Sequence, residues 1–185
     1  MRRVRIQKWI EVLAVLCSLL YTFLYLHSSS WCFVFGLLSP LLFIFITLKK
    51  KIYADTTLQV FYVLITFYGI IHWGGEWPKE HWSAATHLVF VISGFALATL
   101  SGFWLRRNTD AALPFIDSFT TVYAVIATWM MMNFVHENWI YFMVINSTSM
   151  FIYFNRKLYW GVAMFFIYLL MSVDGYFELN LFQLW

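Results

Sequence analysis

Charge is scarce in this chain. Asp, Glu, Lys and Arg make up 11% of its 185 residues, against roughly 25% in soluble domains. The 62% of residues that are hydrophobic cannot be hidden in one water-soluble core, which excludes a soluble globular fold and indicates an integral membrane protein. Cysteine is nearly missing. Cys17 falls mid-helix and Cys32 at a helix start, without His or Cys neighbours at ligand spacing, so neither a disulfide nor a metal site is expected. The first apolar segment is too long for the core of a signal peptide, and no A-x-A-like cleavage site follows it. No polar stretch is long enough to form a soluble domain, and no nucleotide-binding motif is present. An ATP-driven pump within this chain is therefore not expected, nor is a cofactor or nucleic-acid partner.

Long apolar runs fill the space instead. A bilayer span needs about 20 mainly apolar residues, with a range of roughly 17–25. Seven segments qualify: 9–26, 31–48, 56–73, 86–105, 114–134, 139–155 and 159–177. The expected fold class is an all-α integral membrane protein with seven transmembrane helices. Eleven basic residues flank these spans on one side: Arg2, Arg3, Arg5, Lys8, Lys49, Lys50, Lys51, Arg106, Arg107, Arg156 and Lys157. Lys79 lies on the other. This bias predicts a cytoplasmic amino terminus and an external carboxyl terminus in the cell inner (plasma) membrane. Trp9, Trp31, Trp73, Trp104, Trp139 and Trp160 fall near span ends, where an aromatic belt is expected.

The landmarks recur. Trp31, Lys51-Ile52-Tyr53, Tyr62 and Gly69 are followed in the same order by Trp139, Lys157-Leu158-Tyr159, Tyr168 and Gly175. Tyr53 to Tyr62 and Tyr159 to Tyr168 are both 9 residues; Tyr53 to Gly69 and Tyr159 to Gly175 are both 16. With span four between them, spans one and five run the same way. The expected architecture is a single transmembrane domain, 1–185, of 3+1+3 parallel triple-helix repeats. It comprises a first unit (9–73), a linker helix (86–105) and a second unit (114–177). A duplicated block of membrane helices points to a transporter or channel with its site between the halves. Gly94 and Gly102 in span four suit close packing against the triplets, and Pro40 is expected to kink span two.

Polar groups inside a span face the bundle or a wet cavity, because the hydrocarbon penalises them. Asn146 lies about 10 Å below Trp139 along span six. Trp139, Phe142 and Asn146, at i, i+3 and i+7, share one face. Two rings and an amide can stack on a flat ligand and hydrogen-bond its edge; an Asn there also serves as interhelical glue, and spacing leaves both readings open. Gln59 and Tyr62 share a face of span three. Asp117 and Asp174 are carboxylates at opposite ends of the membrane, each able to attract a cation or relay protons. They are too far apart to work as a pair, and Asp117 also suits a helix start after Pro114. His72, beside Trp73, can line an entrance. Glu11 reads as an interfacial charge near Arg5 and Lys8, and His27, His81, His87 and His136 as exposed.

These residues carry a resemblance. Trp31-Cys-Phe-Val-Phe-Gly36-Leu, Leu58-Gln59-Val60-Phe61 with Tyr68-Gly69, Pro114-Phe-Ile-Asp117-Ser118, and Glu137-Asn138-Trp139 continuing to Asn146 resemble the PnuC vitamin transporters over residues 9–177. The resemblance implies a SWEET-like fold, two triplets around one linker helix. It implies uptake of a water-soluble vitamin (nicotinamide riboside, thiamine or riboflavin) by facilitated diffusion, with trapping by a separate cytosolic vitamin kinase. The family's W-x-x-W-x-x-x-N/D pattern maps onto Trp139, Phe142 and Asn146, with Phe142 in place of the second tryptophan. That departure and the short chain favour thiamine over nicotinamide riboside. Both ligands carry a cationic aromatic ring, which aromatic walls hold at roughly 0.5–2 kcal/mol per contact. The expected substrate contacts are Gln59, Tyr62, Trp139, Phe142 and Asn146. Proton coupling through Asp117 or Asp174 and a SWEET-type sugar carrier are the alternatives. Membrane lipid is the surrounding partner, and a homo-oligomer is compatible with the sequence. A membrane enzyme would need clustered His, Asp or Glu, or a Cys–His pair, and none is present.

Overall fold

The computed structural model describes residues 2–26, 29–71, 81–133, 135–179 and 181. His72 and residues 74–80 of the loop between spans three and four lie outside the described residues. The described chain forms seven helices: α1 (Arg2–Leu26), α2 (Cys32–Lys50), α3 (Tyr53–Ile71), α4 (Ala84–Asn108), α5 (Pro114–Met132), α6 (Asn138–Asn155) and α7 (Tyr159–Phe177). Each coincides with one span read from the sequence. α2, α3, α4 and α7 are long and apolar enough to cross a membrane by length and composition.

Consecutive neighbours in space run α1, α2, α3, α5, α6, α7 and back to α1, so six helices close a ring. α4 packs along α5 outside that ring. Its small residues make this possible. A Cβ on Gly102 would lie 2.6 Å from the Phe115 ring, and one on Gly94 would lie 2.9 Å from Ile126. The partner of the glycine stripe is thus α5. The opposite face of α4 exposes Val89, Ile92, Leu100 and Trp104, as a lipid-facing helix should.

α2 continues as one helix through Pro40. Proline cannot donate to the carbonyl four residues back, which is Gly36. The Thr66 hydroxyl of α3 shares its proton between the Tyr62 carbonyl at 2.7 Å and that Gly36 carbonyl at 3.2 Å. Membrane helices tolerate proline where a neighbouring side chain re-satisfies the freed backbone in this way.

The turns after α2 and α6 are built alike. Lys51 (φ 60°) and Lys157 (φ 57°) both take the left-handed conformation. The next residue then turns its N–H back into the helix it has left, Ile52 to the Thr47 carbonyl and Leu158 to the Tyr153 carbonyl, each at 3.0 Å. This is a Schellman-type end, and it carries the expected apolar residue just past the cap. Ile52 and Leu158 are both fully buried, in a core that also contains Ala14, Phe43, Ile46, Tyr153 and Met164. At the α4–α5 connection, Asp110 accepts hydrogen bonds from Lys51 and from Tyr53. Those bonds, with the lysine charge, hold its carboxyl below the usual carboxylate range.

Candidate functional site

Asp55, Gln59, Tyr62 and Thr66 follow one another on α3 at intervals of three and four residues, so they share one face. Asp55 Oδ1 accepts from Gln59 Nε2 at 3.1 Å. Its Oδ2 accepts from the Tyr153 hydroxyl of α6 at 2.6 Å. One turn further along α3, Tyr62 faces Thr128 of α5. On α6, Asn146 donates Nδ2 to Ser172 Oγ of α7 at 3.2 Å. Tyr168, one turn before Ser172, meets Ser18 Oγ of α1 at 2.5 Å and accepts from the Thr22 hydroxyl at 3.4 Å. Buried hydroxyls, amides and carboxylates thus link the helices of the ring to one another.

Two buried carboxylates close one end of this arrangement. Asp117 of α5 accepts the Asp55 N–H on Oδ1 and the Ala54 N–H on Oδ2, each at 3.0 Å. It caps the start of α3 rather than that of its own helix. Glu11 of α1 does the same for α7: its Oε1 accepts the Trp160 and Gly161 N–H groups at 3.0 and 3.2 Å. Glu11 is therefore a 4% exposed cap, not an interfacial charge. The first four N–H groups of a helix lack internal partners, and an anion there also meets the positive end of the helix dipole. That physics accounts for these two buried carboxylates.

The five substrate contacts expected from the sequence fall as follows. Gln59 and Asn146 are buried. Tyr62 and Phe142 pack against one cluster of Leu58, Tyr123, Ala124, Ala127 and Ile145. This brings Tyr62 of α3 and Phe142 of α6 to one cluster. The Trp139 and Phe142 rings lie 6.5 Å apart, tilted by 53°. Trp139 rests on Gly175 of α7, where a Cβ would sit 2.5 Å from the indole. Asp174 is buried and accepts the Leu181 N–H at 2.9 Å, which ties down the chain beyond α7.

Two grooves, of about 830 and 540 Å³, lie among α4, α5 and α6, the second sharing Tyr123 and Ile145 with the cluster beside Tyr62 and Phe142. None of the five expected contacts lines either. Their walls are largely exposed apolar residues such as Phe95, Val144 and Phe151, with little to orient a polar ligand, so the buried polar groups locate the candidate site better. His87 and Glu137 stand at the second groove. Glu137 accepts from His81 Nδ1 at 2.8 Å, and His87 meets the Tyr141 hydroxyl at 3.1 Å. His136 lies 3.2 Å from the Tyr176 carbonyl. His87 and His136 are thus half-buried and partnered rather than simply exposed.

Sequence reasoning passed over Asp55, Tyr153 and Ser172. Asp55 reads as a loop residue beside the lysines, yet it lies four residues before Gln59. Tyr153 lies seven residues after Asn146, on the same helix face. Helical spacing from the two amides was the available signal.

A ring of apolar helices with buried polar groups is the architecture of a polytopic membrane protein. Residues 8–180 match the nicotinamide mononucleotide transporter family. The nicotinamide riboside transporters PnuC of Escherichia coli (strain K12) and Shigella flexneri are each 26% identical over 198 aligned positions, covering 90% of this chain and 83% of the relative. A crystal structure of the vitamin B3 transporter PnuC superposes with a TM-score of 0.70 at 20% identity, covering 96% of this chain and 81% of that one. The chain belongs to the nicotinamide mononucleotide transporter family: it is a multi-pass membrane transporter for a vitamin, not an enzyme.

Proposed function

We propose that the chain takes up a cationic aromatic vitamin by facilitated diffusion, with nicotinamide riboside and thiamine as the two substrates to separate. The observation that carries this reading is the pair of buried amides, Gln59 and Asn146, beside the aromatic residues Tyr62, Phe142 and Trp139. The names of the relatives support nicotinamide riboside; Phe142, in place of the family's second tryptophan, supports thiamine. The rings hold the cationic ring, and the amides read its edge.

The helix order supports two parallel triplets, α1–α3 and α5–α7, that rock against each other around the ligand, with α4 as the linker. Contacts between the triplets come in matching pairs. Tyr62 faces Thr128 as Tyr168 faces Thr22, and Asp117 caps α3 as Glu11 caps α7. Basic residues on one side support an inward-facing amino terminus in the inner membrane. Trapping by a cytosolic kinase completes net uptake, because a uniporter by itself equalises concentrations. Homo-oligomers are compatible with the exposed apolar face of α4.

Binding of thiamine, nicotinamide riboside and riboflavin to the purified protein separates the substrates. Gln59→Ala and Asn146→Ala should weaken binding of the true substrate about tenfold or more, as expected when a buried hydrogen bond is lost. Wild-type affinity in both variants removes these residues from the site. A second reading, proton-coupled uptake, is favoured by the adjacent buried carboxylates Asp55 and Asp117. Accumulation in liposomes above the external concentration under a pH gradient, without a kinase, would overturn facilitated diffusion.

A further inference from the structure

We infer that Asp55 and Ser172 are positioning residues that set both site amides as hydrogen-bond acceptors, so that the site selects a ligand bearing N–H or O–H donors. The inference rests on the assignment of Gln59 and Asn146 to the substrate site and deepens it.

An amide side chain offers a carbonyl acceptor on one arm and an NH₂ donor on the other, and its neighbours decide which arm faces which way. Ser172 has one hydroxyl proton, and it goes to the Tyr168 carbonyl at 2.7 Å. Its oxygen is left to accept, so Asn146 turns Nδ2 toward it. Asp55 takes the Tyr153 hydroxyl on one carboxylate oxygen and presents the other to Gln59, which answers with Nε2. Both amides are therefore turned by groups that never need touch the ligand. Their remaining arms, Gln59 Oε1 and Asn146 Oδ1, have no hydrogen-bond partner among the described residues.

Two unpaired carbonyl oxygens on buried side chains are a selectivity device. A ligand with a primary amide or amine on its ring, or with sugar hydroxyls, satisfies them. An analogue with an acceptor at the same place sets oxygen against oxygen and leaves both desolvated without a bond. A site built to meet a donor rejects an analogue that lacks it far better than an apolar pocket rejects a small added group.

The test is calorimetry on the purified full chain in detergent. Nicotinamide riboside is compared with nicotinic acid riboside and with its 2′-, 3′- and 5′-O-methyl ethers, and thiamine with oxythiamine, in which a carbonyl replaces the ring amine. In the wild type, at least one donor-deleted analogue of the bound vitamin should bind about tenfold or more weakly. That ratio should shrink in Ser172→Ala and Asp55→Asn, which free the amides to flip. It should persist in Ser172→Thr, which keeps the hydroxyl. If Asp55→Asn does not fold, as judged by gel filtration, the Ser172→Ala and Ser172→Thr pair decides. An unchanged ratio in Ser172→Ala, or wild-type binding of every donor-deleted analogue, overturns the inference. Wild-type affinity of Gln59→Ala and Asn146→Ala for the parent vitamin, or no binding of either vitamin, overturns the site assignment beneath it. Weakened binding in those two variants, with undiminished discrimination in Ser172→Ala, removes the positioning role and leaves the site in place.

Discussion

The Tyr153 hydroxyl of α6 donates to Asp55 Oδ2 of α3 at 2.6 Å. This bond joins two helices that lie far apart in the chain and ties an acidic side chain to the helix that carries Asn146. The Tyr153 ring itself is wedged between Phe43 and Phe165, with edge contacts at 6.4 and 4.8 Å.

Tyr153→Phe separates the bond from the packing. Phenylalanine keeps both ring contacts and removes one donor from a buried carboxylate. The expected loss of stability is about 1–3 kcal/mol, read as a lower melting temperature of the detergent-solubilised protein. An unchanged melt would mean that the hydroxyl contributes nothing to the fold.

The two cap carboxylates should respond differently to amide substitution. Glu11 accepts both backbone N–H groups on one oxygen, so Glu11→Gln keeps an acceptor in place and should retain most of the stability. Asp117 uses both oxygens, so Asp117→Asn sets an NH₂ against a backbone N–H and should cost about 1–3 kcal/mol more. Equal melting temperatures for the two variants would contradict these cap geometries.

Gly175→Ala should act on binding more than on folding. The added methyl would meet the Trp139 indole at 2.5 Å, and Trp139 is half-buried rather than locked in the core. Vitamin affinity should drop about tenfold, the equivalent of one displaced aromatic contact, while the protein still elutes as wild type. Unaltered affinity would take Trp139 out of the binding face.

Glu137 offers a titration outside the spans. Burial pushes its carboxyl up, but the His81 hydrogen bond and charge together with backbone N–H groups outweigh this, and the net shift is downward from the ordinary 4.5. A carboxyl lowered by folding adds stability above its unfolded value and loses it as pH falls through the folded one. His81→Gln removes the charge, so Glu137 should titrate at higher pH, and this end of the molecule should loosen earlier on acidification. Infrared titration of Glu137 in both proteins measures the shift; a coincident curve would show that His81 does not set it.

Much of the fold is legible in residue order because a bilayer leaves the backbone few choices. Each apolar segment must satisfy its own N–H and C=O groups and therefore becomes a helix. The helix ends fall within a few residues of the expected spans, except for α1, which starts at Arg2. Gly94 and Gly102 announced a close helix contact, though not that α5 would supply it. Gln59 and Asn146 could be picked out because an amide in hydrocarbon needs a partner. The partners themselves were hidden. Asp55 stands beside a lysine run and looks solvated, and Tyr153 looks like one more aromatic among many. Glu11 looks interfacial because local charge says nothing about which helix start lies across the bundle.

The sequence by itself determined that this is a seven-helix membrane protein, where its turns fall and which few polar groups must turn away from lipid. Hydrophobic length and the cost of burying polarity act locally, so they can be read along the chain. The tertiary structure decided the pairings: the closing of six helices into a ring, α4 on α5, Asp117 on α3, Glu11 on α7, and the direction in which each site amide points. Those are settled by which donors and acceptors meet across helices distant in sequence, and that information exists in the packed bundle alone.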